Sequence, residues 1–170
     1  TPSQWEAQPP LTEAAFESKF AEMFPRILPR YFESEAPVGI SLTGGLDTRM
    51  IMAALPPATN KPVTYTFAAD VGETLDASIA RRIAGVCGLP HELLRLGPDF
   101  FARFGDYADR TVFNTDGCFG ALGAHEIYLH EQARQRSAVR LTGNYGSEVL
   151  RSMSTFKATS LASGLLRPEF

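Results

Sequence analysis

The stretch that decides the fold is Val38-Gly39-Ile40-Ser41-Leu42-Thr43-Gly44-Gly45-Leu46-Asp47-Thr48-Arg49-Met50-Ile51-Met52. A short apolar run ends in Thr-Gly-Gly-x-Asp-Thr, and a helical pattern starts at once. The order reads as a strand, a tight glycine turn and a helix start. Glycine permits positive φ and a close approach by a ligand. The N–H groups of the turn and of the first helical residues converge on one spot, where the helix dipole favours an anion. Thr43 and Thr48 add hydroxyl donors, and Asp47 adds a carboxylate suited to a divalent cation. A phosphate chain carrying Mg²⁺ suits these groups. No Lys follows the turn, so this is not the Walker type of phosphate loop. Taken alone, a Gly-Gly turn between strand and helix is also an ordinary turn.

Outward from that stretch, the 170 residues suffice for one domain with a sizeable core. A net charge of −3 points away from nucleic acid and anionic membranes as main partners. The two cysteines, Cys87 and Cys118, lie far apart in no metal-binding spacing, which speaks against a disulfide framework and for a reducing, cytoplasmic setting. No apolar run approaches the length of a membrane span.

Residues 1–11, with three prolines, read as an arm. From Leu11 to Phe32 apolar residues recur at helical spacing, with Thr12 as N-cap and Pro25 and Pro29 as breaks; the aromatic stripe is expected to be core. Val38–Thr43 is a strand and Asp47–Leu55 a helix, ended by Pro56-Pro57. Val63–Ala68 is β-branched and aromatic, hence a second strand. Residues 75–87 read as a helix with Ile79, Ile83 and Val86 inward, stopped by Gly88. His91–Leu96 is a third strand, with His91 a hydrogen-bonded edge residue rather than a ligand. Gly97–Asp109 is expected as one helix, 111–117 as irregular, 121–136 as helix and Ala138–Thr142 as a fourth strand. Alternating strands and helices mean an α/β fold with a parallel sheet covered on both faces. Two strands end in Thr-Gly, at Thr43-Gly44 and Thr142-Gly143. If they are neighbours, both glycine turns face one crevice at the carboxyl end of the sheet, where such folds bind ligands.

Thr43-Gly44-Gly45-Leu46-Asp47-Thr48 resembles the Ser-Gly-Gly-x-Asp-Ser pyrophosphate loop of the N-type ATP pyrophosphatases, with Thr in place of both Ser. The surrounding VGISLTGGLDTRMIMAAL is similar to the synthetase domain of glutamine-hydrolysing asparagine synthetase, and so are YTFAAD and DASIARRIAGVCGLPHELLRL. The resemblance covers about residues 12–155 and implies a three-layer, adenine nucleotide alpha hydrolase-like domain of the pyrophosphate-loop type. It implies that Thr43, Gly44, Gly45, Asp47 and Thr48 grip the pyrophosphate of ATP, with Asp47 on Mg²⁺. Backbone near Leu42 and Ala69 would hold adenine, and Thr142-Gly143 would line the nucleotide from the second turn. The implied reaction is adenylation of a small-molecule carboxylate, with pyrophosphate released, followed by attack of ammonia or an amine and release of AMP.

The second turn, Thr142-Gly143-Asn144-Tyr145-Gly146-Ser147-Glu148, is similar to the family's Ser-Gly-Glu-Gly-x-Asp-Glu but has its glycines three apart rather than two. The family's metal-binding Asp therefore falls on Ser147 from one side and on Glu148 from the other. Glu148 is preferred, since Mg²⁺ takes hard anionic oxygen. Tyr145-Gly146-Ser147-Glu148 also resembles the Tyr-Gly-x-Asp of the β-lactam synthetase branch, where the Tyr helps to activate the amine; a packed loop aromatic is the other reading of Tyr145. The substrate could be aspartate, or a specialised one as in β-lactam synthetases or lasso-peptide cyclases. A nucleotide-binding module without catalysis is the rival from another class. The family resemblance further implies an N-terminal glutaminase in the parent chain and a continuation beyond 156–170 that supplies a Lys and substrate-binding acids.

Overall fold

A computed structural model describes residues 7–55, 61–69, 71–144 and 146. Four strands form one parallel sheet: β1 (Val38–Ser41), β2 (Thr64–Ala68), β3 (His91–Arg95) and β4 (Val139–Leu141), in the order β3-β2-β1-β4. The chain steps outward from β1 to β2 to β3, then returns across the sheet to place β4 beside β1. Strand order therefore reverses between β1 and β4, with Gly39 opposite Arg140 and Ile40 opposite Leu141. That reversal opens a crevice at the carboxyl ends of β1 and β4. The two Thr-Gly strand ends are neighbours.

Helices cover both faces of the sheet, giving three layers. On one face Ile40 and Leu42 pack with Met52 of α2 (Leu46–Ala54) and with Ala80 and Ala84 of α3 (Leu75–Val86). On the other, Tyr65 and Leu94 pack with Phe100 of α4 (Pro98–Ala102), Tyr107 of α5 (Phe104–Asn114), and Tyr128 and Leu129 of α6 (Ala124–Arg134). Of the central strands, β1 feeds the first core through Ile40 and β2 the second through Tyr65.

The expected elements are present, with five differences. The inward face of α3 is set by Ala77, Ala80 and Ala84, small residues that let the helix lie close to the sheet; Ile79 and Ile83 flank that stripe, and Val86 is 89% exposed. Residues 97–109 form two helices rather than one, because the chain breaks at Arg103 (φ −113°, ψ 18°). Helix α5 then runs through Asn114, into the stretch expected to be irregular. The Thr111 hydroxyl donates back to Tyr107 O at 2.8 Å and Thr115 to Thr111 O at 2.8 Å, so both β-branched polar side chains are satisfied on the helix itself. Helix α6 begins at Ala124, after a 3₁₀ turn over Ala121–Gly123.

The fifth difference concerns α1 (Glu13–Ile27), which Thr12 caps by accepting from Ala15 N at 3.3 Å. Pro25 sits in its last turn without ending it, and a 3₁₀ segment follows over Leu28–Phe32. The aromatic stripe expected to be core is not: Phe16, Phe20 and Phe24 stack on one another in sequence, and no residue of α1 is buried. Leu28, just beyond, is the buried anchor of this stretch.

Candidate functional site

The turn after β1 is built by its own side chains. Thr43 N–H donates to Thr48 Oγ1 at 3.3 Å, and the Thr48 hydroxyl donates to Thr43 O at 2.9 Å. The Thr43 hydroxyl lies 3.0 Å from Thr48 Oγ1 and accepts from Gly45 N at 3.2 Å. The two hydroxyls expected to face a ligand are thus engaged within the turn and hold its shape. Thr and Ser can both do this, since only the oxygen is needed.

Neither Gly44 nor Gly45 takes positive φ; among the described residues the positive-φ glycines are Gly72, Gly88 and Gly117. Gly44 is glycine because of what lies against it. A Cβ there would meet the Asp76 carboxylate at 2.8 Å and Ile79 Cβ at 3.2 Å. Gly44 N–H donates to Asp76 Oδ1 at 2.6 Å, so a carboxylate from the first turn of α3 stands at an amide where an anion is expected. Asp76 was not legible as a site residue, because it is distant in sequence and belongs to no motif.

Gly45 is the N-cap of α2, with extended backbone and no capping side chain, so the first-turn amides of α2 have no side-chain cap from it. Asp47 and the buried Thr48 lie in this first turn, and the second glycine turn packs directly on them. A Cβ on Gly143 would fall 2.9 Å from Asp47 Cβ and 3.0 Å from Thr48 N; one on Gly146 would fall 2.6 Å from Asp47 Cγ. The three-residue spacing of Gly143 and Gly146 is what lets the turn fit against Asp47. Tyr145, Ser147 and Glu148 lie outside the described residues.

Between the two turns is a cavity of about 190 Å³. Ser41, Thr43, Gly45, Asp47 and Thr48 line it from the first turn, and Arg140, Thr142, Gly143 and Asn144 from the second. Of the residues expected at the site, Thr43, Gly45, Asp47, Thr48, Thr142 and Gly143 meet here. Leu42 lies within the sheet: its N–H donates to Tyr65 O at 2.9 Å, and its carbonyl accepts from the Thr66 hydroxyl at 2.5 Å. Ala69 is exposed past the end of β2, its carbonyl accepting from Arg95 Nη1 at 2.8 Å.

Arg140 was missed from sequence, because a charged residue in a three-residue strand gives no sign of where it points. Its Nη2 donates to Ser41 Oγ at 3.0 Å, its guanidinium lies 4.8 Å from the centre of the Phe67 ring, and Nη1 meets His130 Nε2. Glu126 Oε2 lies 3.3 Å from the same His130 nitrogen, and its interaction with His130 holds its carboxyl below the ordinary range against the opposing effect of burial.

This donor set suits a phosphate chain with a divalent cation: turn and helix amides, an Arg, and a carboxylate at the mouth. Among the described residues no group of three or more His, Cys, Asp or Glu could hold a metal by itself. Mg²⁺ needs no such cage, since it is commonly held by one or two carboxylates plus substrate phosphates. Cys87 and Cys118 are both exposed free thiols, and no helix among the described residues is long and apolar enough to cross a membrane. His91 is hydrogen-bonded at the sheet, its Nδ1 2.8 Å from the Thr64 hydroxyl.

A three-layer parallel sheet with a Gly-Gly-x-Asp turn at its switch point defines the pyrophosphate-loop class of ATP-using proteins. Within that class the chain belongs to the asparagine synthase family, which matches residues 19–168. That family falls among the ATP-using, amide-forming ligases of the superfamily. The fold is similar to that of an NH3-dependent NAD synthetase from Campylobacter jejuni, with a TM-score of 0.52 and 13% identity over 81% of this chain and 61% of that one. The chain thus spans about three-fifths of the length of that synthetase. An NMN synthetase from Francisella tularensis aligns at a TM-score of 0.43 and 15% identity, over 78% of this chain and 54% of that one. No curated protein matches the chain.

Proposed function

We propose that the crevice between the two glycine turns binds Mg·ATP, and that the protein uses it to adenylate a small-molecule carboxylate and form an amide. The carrying observation is the packing of Gly143 and Gly146 onto Asp47 and Thr48, which joins both turns into one site at the strand-order reversal. The first-turn amides of α2 and the Gly45 region take the pyrophosphate. Thr43 and Thr48 keep the turn in shape, and Asp47, with Glu148 from the second turn, holds the cation. Backbone at Leu42 and Ala69 borders the adenine, and Tyr145 assists the amine. Mg²⁺, when bound, supplies positive charge that steadies the leaving pyrophosphate.

A carboxylate oxygen attacks the α-phosphorus, the bond to the bridging oxygen breaks, and pyrophosphate departs. Ammonia or an amine then attacks the acyl carbon, loses a proton and expels AMP. The protein's tasks are alignment and charge stabilisation. Aspartate as acceptor, and an N-terminal glutaminase supplying ammonia in the cytoplasm, complete the asparagine synthetase version of this reading. Carboxylate-dependent exchange of labelled pyrophosphate into ATP, measured on the full-length parent protein, tests it. Exchange with one carboxylate identifies the substrate. Mg·ATP binding without exchange for any carboxylate would make the protein a nucleotide-binding module instead.

A further inference from the structure

The glycine turns supply amides and hydroxyls to the crevice but no cationic side chain. Among the described residues that line it, Arg140 carries the positive charge. Its position follows from the sheet: β4 pairs in parallel with β1, Arg140 stands opposite Gly39, and its side chain reaches the Ser41 hydroxyl at 3.0 Å. Three contacts fix the guanidinium there. Ser41 is buried and receives Nη2, the Phe67 ring lies at 4.8 Å, and His130 meets Nη1. A guanidinium carries five N–H donors in a planar fork, and these contacts engage two of them. A held, pre-oriented fork loses little entropy when it binds an anion, and it matches phosphate oxygens in pairs.

We infer that Arg140 is a direct ligand of the phosphate chain, taking pyrophosphate oxygens on the β4 side of the crevice opposite the amides of the first turn. The inference rests on the function proposed above and adds a residue to it. A phosphate chain in the 190 Å³ cavity is gripped from two sides, by neutral amides from β1–α2 and by a full charge from β4. The amides alone recognise any small anion, whereas the added fork favours one with several oxygens in sequence. A substrate carboxylate is the other anion a guanidinium could serve, and the measurement below separates the two.

Titration calorimetry with inorganic pyrophosphate, adenosine and aspartate, each in the presence of Mg²⁺, compares wild type with Arg140→Met and Arg140→Lys. Loss of a charge-assisted pair weakens pyrophosphate binding about tenfold or more in Arg140→Met and leaves adenosine binding unchanged. Arg140→Lys recovers part of the pyrophosphate affinity through its charge. Equal pyrophosphate affinity in wild type and Arg140→Met overturns the inference. So does a parallel loss of adenosine binding, which would mark a structural role, or a loss confined to aspartate, which would assign the residue to the carboxylate. If wild type binds neither pyrophosphate nor ATP, the proposed function itself falls and this assignment with it.

Discussion

Replacing Gly143 by alanine places one methyl group at the seam between the two turns. Its neighbours are Asp47 Cβ at 2.9 Å, Thr48 Cγ2 at 3.0 Å and Thr48 N at 3.0 Å. Thr48 Cγ2 could shift by rotation about χ1, but Asp47 Cβ is fixed by its own backbone and Thr48 N is backbone at the start of α2, so neither can rotate away. Relief therefore requires the second turn to move off the helix. Overpacking of this kind costs about 1–3 kcal/mol. With a urea slope of roughly 2 kcal/mol/M, a loss near the middle of that range lowers the unfolding midpoint by about 1 M. The same displacement opens the crevice at Asp47, so Mg·ATP affinity falls too. Gly85→Ala is the control, since nothing lies within 4 Å of its added methyl group and it sits in helix α3. That change stabilises by about 0.5–1 kcal/mol through the unfolded chain. Urea melts and calorimetry on the two variants suffice. A Gly143→Ala protein with the wild-type midpoint and affinity would refute the claim that the two turns abut.

Asp76→Ala frees the Gly44 amide from its carboxylate, so pyrophosphate binds tighter by roughly fivefold; weaker binding would mean that the carboxylate instead holds the turn in its binding shape. Burial first, and the Arg81 charge second, press the His91 pKa below its ordinary value of 6.5, against Glu92. The unfolded chain then takes up the proton more readily. This contribution is complete above about pH 6.5 and is lost as pH falls through the folded value. Urea midpoints between about pH 7.5 and pH 5.5 decline less in His91→Gln, and an identical decline would contradict the assignment.

The fold was legible because its decisive signals are local. A short apolar run, a glycine turn and an apolar helix over Val38–Met52 fix one strand-turn-helix unit, and the repeated Thr-Gly strand ends implied a shared crevice on the condition, met in the structure, that β1 and β4 adjoin. Misread features depend on non-local facts. Val86 fits a helical apolar pattern, yet three alanines decide which face of α3 meets the sheet. The Phe16, Phe20 and Phe24 stripe has core spacing but no covering layer among the described residues. Residues 111–117 read as irregular, yet α5 runs through Asn114 and the Thr111 and Thr115 hydroxyls bond back along it. At the site, motif residues were found by pattern, whereas Asp76 and Arg140 reach it through tertiary placement: one across from α3, the other because of the register of a short strand.

The proposed function requires that the crevice hold a cation-bound nucleotide through the Asp47 carboxylate. Calorimetric titration of Mg·ATP into wild type and Asp47→Asn tests it most directly, since the amide keeps the shape packed against Gly143 and Gly146 and removes the charge. Wild type is expected to bind, and the variant to lose about 1–3 kcal/mol, roughly 5- to 150-fold. The difference should shrink when Mg²⁺ is chelated. Equal Mg·ATP affinity in the two proteins would contradict it.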